Sequence, residues 1–139
     1  LWPAEMKLVH ILENKFLNFL SNMYIAVDFD GTCVTHRYPA IGEDIGAVPV
    51  LKELVSKGNE LILWTMRSGE ELLAAIKWFN DNDIPLFGIQ NNPTQSKWTD
   101  SPKAYAQVYI DDAALGCPLI NDHVDWIKVR ELLVEKQVL

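Results

Sequence analysis

Residue types that mark disulfide-rich, membrane and nucleic-acid-binding proteins are scarce in this sequence. Its two cysteines, Cys33 and Cys117, stand in no metal-ligand spacing, so we expect reduced thiols in a cytoplasmic protein. Because no apolar run reaches about 18 residues, we expect neither a membrane-spanning helix nor a membrane partner. Twelve basic residues against nineteen acidic ones leave a net charge of −7, which argues against nucleic acid as a partner.

The composition is typical of a soluble globular protein. Apolar residues make up 49% of the 139 residues, and charged residues make up 22%. A chain of this length forms one domain and buries roughly two-thirds of its unfolded surface, which suffices for a core without disulfide or metal. We therefore expect a single domain, which we place at residues 23–139.

We expect residues 1–22 to be an N-terminal extension to that domain. The chain begins at Leu1 rather than Met, and Met23 stands directly before the first predicted strand. Apolar residues recur in this segment at helical spacing, at Leu8, Ile11, Leu12, Phe16 and Phe19. The spacing predicts an amphipathic helix that docks on this chain or on a second copy, which makes it a candidate contact for a homo-oligomer. A disordered leader is the main alternative, and a membrane-surface helix is disfavoured because the polar face is not basic.

From residue 24 onward, short apolar runs alternate with helical periods. Strands are predicted at 24–29, 60–65, 86–89 and 107–110, and helices at 46–57, from Ser68 to Asn82, and after Asp122. Ser68 and Glu71 form a capping box, and Asp122 is predicted to cap the last helix, in which Trp126 faces inward. Strands separated by helices predict an α/β, three-layer Rossmann-like fold with a central parallel sheet and helices on both faces.

Polar side chains follow each of the predicted strands. They are Asp28 and Asp30 after the first strand, Thr65 and Arg67 after the second, Asn91 and Asn92 after the third, and Asp111 and Asp112 after the fourth. Ligands of parallel sheets bind beyond the carboxyl ends of the strands, so we expect these side chains at one edge. Four carboxylates there repel one another unless a cation lies among them, and all-oxygen ligation favours Mg²⁺.

These residue types suit the transfer of a phosphoryl group. A carboxylate such as Asp28 can attack phosphorus to form an aspartyl-phosphate, and Asp30 can deliver a proton to the leaving oxygen. Thr65 offers a hydroxyl donor, and Lys103 offers a positive charge for the phosphate.

Four short motifs resemble those of the haloacid dehalogenase superfamily of phosphohydrolases. The run Asp28-Phe29-Asp30-Gly31-Thr32 resembles motif one, and Leu63-Trp64-Thr65 resembles motif two. Lys103 precedes the fourth strand, as the lysine of motif three does, and Tyr109-Ile110-Asp111-Asp112 resembles the paired-acid form of motif four. The motifs come in order and span residues 24 to about 116.

The resemblance implies a Mg²⁺-dependent phosphatase that acts on a phosphorylated small molecule or macromolecule through an aspartyl-phosphate. Asp28 would be the nucleophile and a metal ligand. Asp30 would be the acid/base and would bind the metal through its backbone carbonyl. Thr65 and Lys103 would bind the phosphoryl group.

The resemblance also implies that Asp111 ligates Mg²⁺ and that Asp112 does so directly or through water, with a capping role as its alternative. Members of this superfamily differ in the caps inserted over the site. Here only residues 33–45 and about 13 residues after the third strand occupy the two insertion points, so the chain resembles a capless member.

Residues in and beside these short segments are candidates for specificity. They are His36, Arg37, Arg67, Asn91, Asn92 and Trp98. For Arg67 the sequence leaves two interpretations open, a contact to substrate or phosphate and a structural ion pair. For His36 an exposed loop residue is the alternative.

Two other functions are compatible with a parallel sheet that carries acids at one edge. The first is a regulatory domain of the same fold that binds phosphate and metal with little or no turnover. The second is a phospho-receiver domain, which is disfavoured because Asn91 and Asn92, rather than an aspartate, follow the third strand.

Overall fold

The computed structural model describes residues 3–8 and 22–139. Residues 4–8 form a helical turn, in which the Lys7 amide donates to the Pro3 carbonyl at 3.0 Å. The rest of the helix predicted for the extension lies outside the described residues. Among those that are described, no helix has the length and apolar character needed to cross a membrane.

Four short parallel strands form the central sheet. They are β1 (Tyr24–Val27), β2 (Glu60–Leu63), β3 (Gly88–Ile89) and β4 (Val108–Ile110), in the spatial order β3-β2-β1-β4. Val27 pairs with Leu63 on one side and with Ile110 on the other, so β1, β2 and β4 end side by side. The predicted parallel sheet is confirmed, although each strand is one or two residues shorter than predicted.

Three α-helices follow the strands at or near the predicted positions. They are α1 (Ala47–Ser56), α2 (Gly69–Asp81) and α3 (Trp126–Glu135). The capping box predicted for α2 is wrong, because the Ser68 side chain makes no capping hydrogen bond. The first residue of the helix, Gly69, has a left-handed backbone conformation with φ +54. Because of this conformation, the start of the helix departs from ordinary capping geometry.

One hydrophobic core lies between the sheet and all three helices. It contains Val27 and Leu63 from the strands, Leu51 of α1, Phe79 of α2 and Val129 of α3. Successive side chains of a strand point to opposite faces of the sheet. The paired residues Val27 and Leu63 both lie in this core, so the core covers one face of the sheet. The three helices therefore pack on the same face.

The opposite face carries Ala26 and Ile62, which are buried outside that core. The segment between β3 and β4 covers this face, since the Tyr109 hydroxyl, from the residue paired with Ala26, donates to the Ala104 carbonyl at 2.7 Å. Within residues 22–139 the prediction of helices on both faces is wrong here, because this segment forms only a 3-10 helix (Gln95–Lys97). It is rich in Asn, Pro, Ser and Thr, which favour turns over helix.

A two-stranded antiparallel hairpin precedes α3 and was not predicted. It consists of β5 (Leu119–Ile120) and β6 (His123–Val124), joined by a turn in which Asn121 has φ +55. The prediction that Asp122 caps α3 is wrong, because Asp122 lies in this turn. Asp125 caps the helix instead, and its side chain accepts from the amides of residues 127 and 128.

Candidate functional site

Three carboxylates meet at the carboxyl edge of the sheet. Asp28 follows β1, and Asp111 and Asp112 follow β4. The three side chains each contribute one oxygen to a group whose members lie within 4.8 Å of one another. The Asp28 amide donates to the Ile110 carbonyl at 2.9 Å, which holds the turn after β1 beside the end of β4. We call Asp28, Asp111 and Asp112 the acid cluster.

A buried hydroxyl connects two members of the acid cluster. Thr32 Oγ1 donates to Asp28 Oδ2 at 2.8 Å, lies 3.2 Å from Asp112 Oδ1, and accepts the Asp112 amide at 3.0 Å. The indole Nε1 of Trp126 donates to the Thr32 carbonyl at 2.6 Å, so the start of α3 anchors the same turn. Thr32 is the last residue of the first motif, but no role for its hydroxyl was predicted from the sequence.

The Asp30 carboxylate is not part of the acid cluster and pairs with Arg67. Arg67 Nε donates to Asp30 Oδ2 at 2.8 Å and Nη2 donates to Oδ1 at 2.7 Å, the two parallel bonds of a bidentate pair. The hydrogen bonds that Arg67 donates to Asp30 raise the pKa of the guanidinium, which favours its charged form. Of the four acids that the sequence brings to this edge, three therefore share a site and the fourth has a partner of its own.

Arg67 has no donor left for a phosphate. Besides Asp30, its Nη atoms donate to the carbonyls of Pro39, Ala40 and Glu71 at 3.1, 2.7 and 3.3 Å. These contacts use all five N–H groups of the guanidinium, and the residue is only 2% exposed. The expectation that Arg67 contacts substrate is thus contradicted, and its alternative, the structural ion pair, describes the residue.

Thr65 is held in place by a side chain that the sequence did not single out. Gln90, at φ +60, accepts the Thr65 amide at 2.9 Å and donates from its own amide group to the carbonyls of Thr65 and Arg67. Thr65 Oγ1 accepts the Arg67 amide at 3.1 Å and keeps its own hydrogen as a donor. A left-handed glutamine carries no recognisable sequence signal, because positive φ is uncommon outside glycine and asparagine.

Lys103 lies on the face of the sheet opposite the helices. Its Nζ stands over the ring of Tyr109, 5.4 Å from the ring centre. No carboxylate of the described residues lies within 4.0 Å of this nitrogen. Its role in binding a phosphoryl group therefore stays a prediction.

The other specificity candidates differ in solvent exposure and in the contacts that their side chains make. Trp98 is 62% exposed and packs edge-on against Tyr105, and Arg37 and Asn91 are exposed. Asn92 is buried and donates to the Tyr105 carbonyl, so it supports the loop. His36 is the candidate that contacts the acid cluster, through Asp112.

Both cysteines are free thiols in the structure, as expected. Cys33 is fully buried behind the first motif, where its Sγ lies 3.3 Å from the Asp28 carbonyl. Burial raises the pKa of this thiol well above its ordinary value, so it stays protonated and unreactive.

Burial and neighbouring carboxylates perturb the ionisation of Asp28. Burial is the largest cause that raises its pKa, and the neighbouring Asp112 and Asp111 raise it further, whereas the Thr32 hydroxyl lowers it. The result is a pKa of about 7. Within residues 3–8 and 22–139, no Lys or Arg nitrogen lies within 4.0 Å of the acid cluster to offset this repulsion.

We expect the protein without divalent cations to lose stability as the pH rises toward and through 7. The folded pKa of Asp28 is above the unfolded value of about 3.9, so folding binds a proton, and this contribution disappears as that proton is lost. In the presence of a chelator, the melting temperature should be a few degrees lower at pH 8 than at pH 5.5.

The matched variant for this experiment is Asp28→Asn, which carries no titrating group at that position. Its melting temperature should depend less on pH over the same interval than that of the wild type. Equal pH dependence in the two proteins would contradict a raised pKa at Asp28.

The fold and site define an α/β protein with an acid cluster at the carboxyl edge of a parallel sheet. A solved structure of a conserved protein from Bacteroides thetaiotaomicron is similar to this chain, with a TM-score of 0.72. The two are 40% identical in sequence over 84% of this chain and 93% of that chain. The chain therefore belongs to the same family as this bacterial protein. No protein-family model matches the sequence, and no curated protein matches it.

Proposed function

We propose that the protein is a Mg²⁺-dependent phosphomonoester phosphatase of the haloacid dehalogenase type. The acid cluster is the observation that carries this proposal. Its three carboxylates lie within 4.8 Å of one another with no Lys or Arg nitrogen within 4.0 Å in the described part of the chain. Such an arrangement is unfavourable without a cation and well suited to one.

The donor set fits Mg²⁺ better than a softer metal. The acid cluster offers carboxylate oxygens and no sulfur, and hard cations prefer oxygen ligands. The Asp30 backbone carbonyl is the further ligand that the resemblance supplies. When bound, the cation offsets the negative charge of the phosphoryl oxygens.

Four residues of the chain carry out the separate steps of the proposed reaction. An Asp28 oxygen attacks phosphorus, and the bond to the leaving oxygen breaks with its electron pair. Asp30 supplies the proton to that oxygen, and Thr65 and Lys103 hold the phosphoryl group. Water then attacks phosphorus and gives one proton to Asp30, the bond between phosphorus and the Asp28 oxygen breaks, and inorganic phosphate is released with both aspartates restored.

The pairing of Asp30 favours a second candidate function, a phosphate- and metal-binding regulatory domain with little turnover. Both Asp30 oxygens accept hydrogen bonds from Arg67. To donate a proton to a leaving group, Asp30 has to give up one of these bonds. A protein that binds the metal but does not release Asp30 would turn over slowly.

We further propose that no cap domain covers the site. Residues 33–45 are tied to the body by the Arg67 bonds to Pro39 and Ala40. The segment between β3 and β4 packs on the sheet face opposite the helices, where the Ala104 carbonyl accepts from the Tyr109 hydroxyl. An open site suits both small and large phosphorylated substrates.

A panel of phosphomonoesters assayed with and without Mg²⁺ tests the proposal. We expect phosphate release that requires the cation, and thermal stabilisation by Mg²⁺ in the absence of substrate. Asp111→Asn removes one charged ligand and should weaken both effects. Stabilisation by Mg²⁺ without turnover on any ester would favour the regulatory domain, and no response to Mg²⁺ would contradict the metal site.

A further inference from the structure

The His36 side chain bridges three segments of the chain at the edge of the acid cluster. It belongs to the segment between β1 and α1, and its Nε2 lies 3.2 Å from Asp112 Oδ2. The same nitrogen lies 3.1 Å from the carbonyl of Asp122, in the turn of the β5–β6 hairpin. Both neighbours are acceptors, so Nε2 carries the proton and donates to them.

Each oxygen of the Asp112 carboxylate is in contact with one polar side chain, although the single hydrogen of the Thr32 hydroxyl is donated to Asp28. Thr32 Oγ1 lies 3.2 Å from Oδ1, and His36 Nε2 lies 3.2 Å from Oδ2. Thr32 is fully buried, whereas the His36 side chain is 42% exposed. Of these two groups, the His36 imidazole on the solvent side is therefore the hydrogen-bond donor to Asp112, while the buried Thr32 hydroxyl packs against the other oxygen.

The first motif leaves room for this imidazole. A Cβ atom at position 31 would lie 2.1 Å from His36 Nε2 and 2.7 Å from Asp112 Oδ2, closer than any side chain could approach. Gly31 also has φ +77, so glycine is required there both for the turn and for the contact. The ring thus packs directly on the turn that carries Asp28.

From this geometry we propose that His36 is a positioning residue for the cation site, which acts by orienting the Asp112 carboxylate toward the divalent ion. The inference rests on the proposed function, because it concerns the cation of that site. Groups that orient the ligands of a metal without touching it typically change metal affinity 10–100-fold when they are removed. No role in proton transfer is part of the proposal.

Two substitutions of His36, by glutamine and by asparagine, test whether the donor has to lie at the position of Nε2 or whether any polar side chain is sufficient. The amide nitrogen of glutamine reaches the place of Nε2, whereas the shorter asparagine reaches the place of Nδ1. We expect His36→Asn to raise the Mg²⁺ concentration at the midpoint of the thermal-shift titration about 10–100-fold. His36→Gln should stay within about threefold of the wild type, since it restores the hydrogen bond.

His123 provides the matched control. It lies in the β5–β6 hairpin with Nδ1 3.5 Å from Asp122 Oδ1, and within the described residues it forms no ion pair with Asp112. His123→Asn should leave the Mg²⁺ midpoint unchanged. The readout is binding of Mg²⁺ to the protein without substrate, so it does not depend on turnover.

The outcomes distinguish the inference from the proposed function. A wild-type protein that responds to Mg²⁺ beside a His36→Asn protein with the same midpoint would overturn the role of His36 and leave the metal site standing. Equal weakening in His36→Asn and His36→Gln would also overturn it, because a restored donor would then have no effect. A wild-type protein that does not respond to Mg²⁺ would overturn the proposed metal site itself.

Discussion

Asp28→Asn should abolish phosphatase turnover while the protein remains folded. Asparagine keeps the size of the side chain and accepts the Thr32 hydrogen bond, but its amide does not attack phosphorus. The substitution also removes one charge from the acid cluster, so the protein without metal should be at least as stable as the wild type at pH 8. Phosphate release and circular dichroism of the same preparations measure both results.

Asp30→Asn is the comparison for the covalent step, and its folding is checked by circular dichroism because it also removes the charged partner of Arg67. Loss of a positioned proton donor should slow the reaction by roughly 10²–10⁴-fold on an alkyl phosphate. The penalty should be smaller on an aryl phosphate, whose leaving group needs little protonation. Near-normal turnover by folded Asp28→Asn would rule out the aspartyl-phosphate and leave direct attack by water as the better explanation.

Arg67→Met should destabilise the fold by about 3–5 kcal/mol, as expected when one partner of a buried ion pair is removed. Methionine fills much of the space but donates no hydrogen bond. The Asp30 carboxylate and the carbonyls of Pro39, Ala40 and Glu71 would then lose their donor together. Arg67→Lys should recover only part of the loss, because one ammonium cannot serve five acceptors in a plane. Urea denaturation measures the free energy of unfolding.

Arg130 offers a control with the same geometry in a different environment. It forms a bidentate pair with Glu53 at 2.9 and 2.7 Å, and the Arg130 side chain is 47% exposed. Exposed pairs contribute little, since water competes for both partners, so Arg130→Met should scarcely move the denaturation midpoint. Equal costs at the two positions would contradict the assignment of Arg67 as a buried structural residue.

The sheet and the proximity of Asp28 to Asp111 and Asp112 were accessible from the sequence, whereas the separate pairing of Asp30 with Arg67 was not. Short apolar runs between helical periods predict parallel strands, and the carboxyl ends of parallel strands meet at one edge. Asp28 and Asp111 therefore had to lie near each other once the strands were recognised. The order β3-β2-β1-β4 places their two strands side by side and brings this about.

The capping and hairpin errors have local causes. Asp122 precedes the last helix by a few residues and is a good capping residue, yet Asp125 is equally good and stands nearer. The choice depends on whether Leu119 to Val124 pair as a hairpin, and two-residue strands are too short to show a period.

Composition, periodicity and the order of the motifs were enough to indicate an α/β protein with acids gathered at one edge, because these features depend on neighbours along the chain. The partner of each polar side chain was not accessible in this way. Arg67 meets Asp30 across 37 residues and Gln90 meets Thr65 across 25, and the Thr32 hydroxyl lies beside Asp112 across 80. Such pairs form when loops that are distant in sequence pack together at the ends of neighbouring strands. The acceptors of the Arg67 guanidinium therefore depend on which loops lie beside it. The sequence therefore left two roles open for Arg67, and the contacts of its guanidinium with the Pro39 and Ala40 carbonyls decide between them.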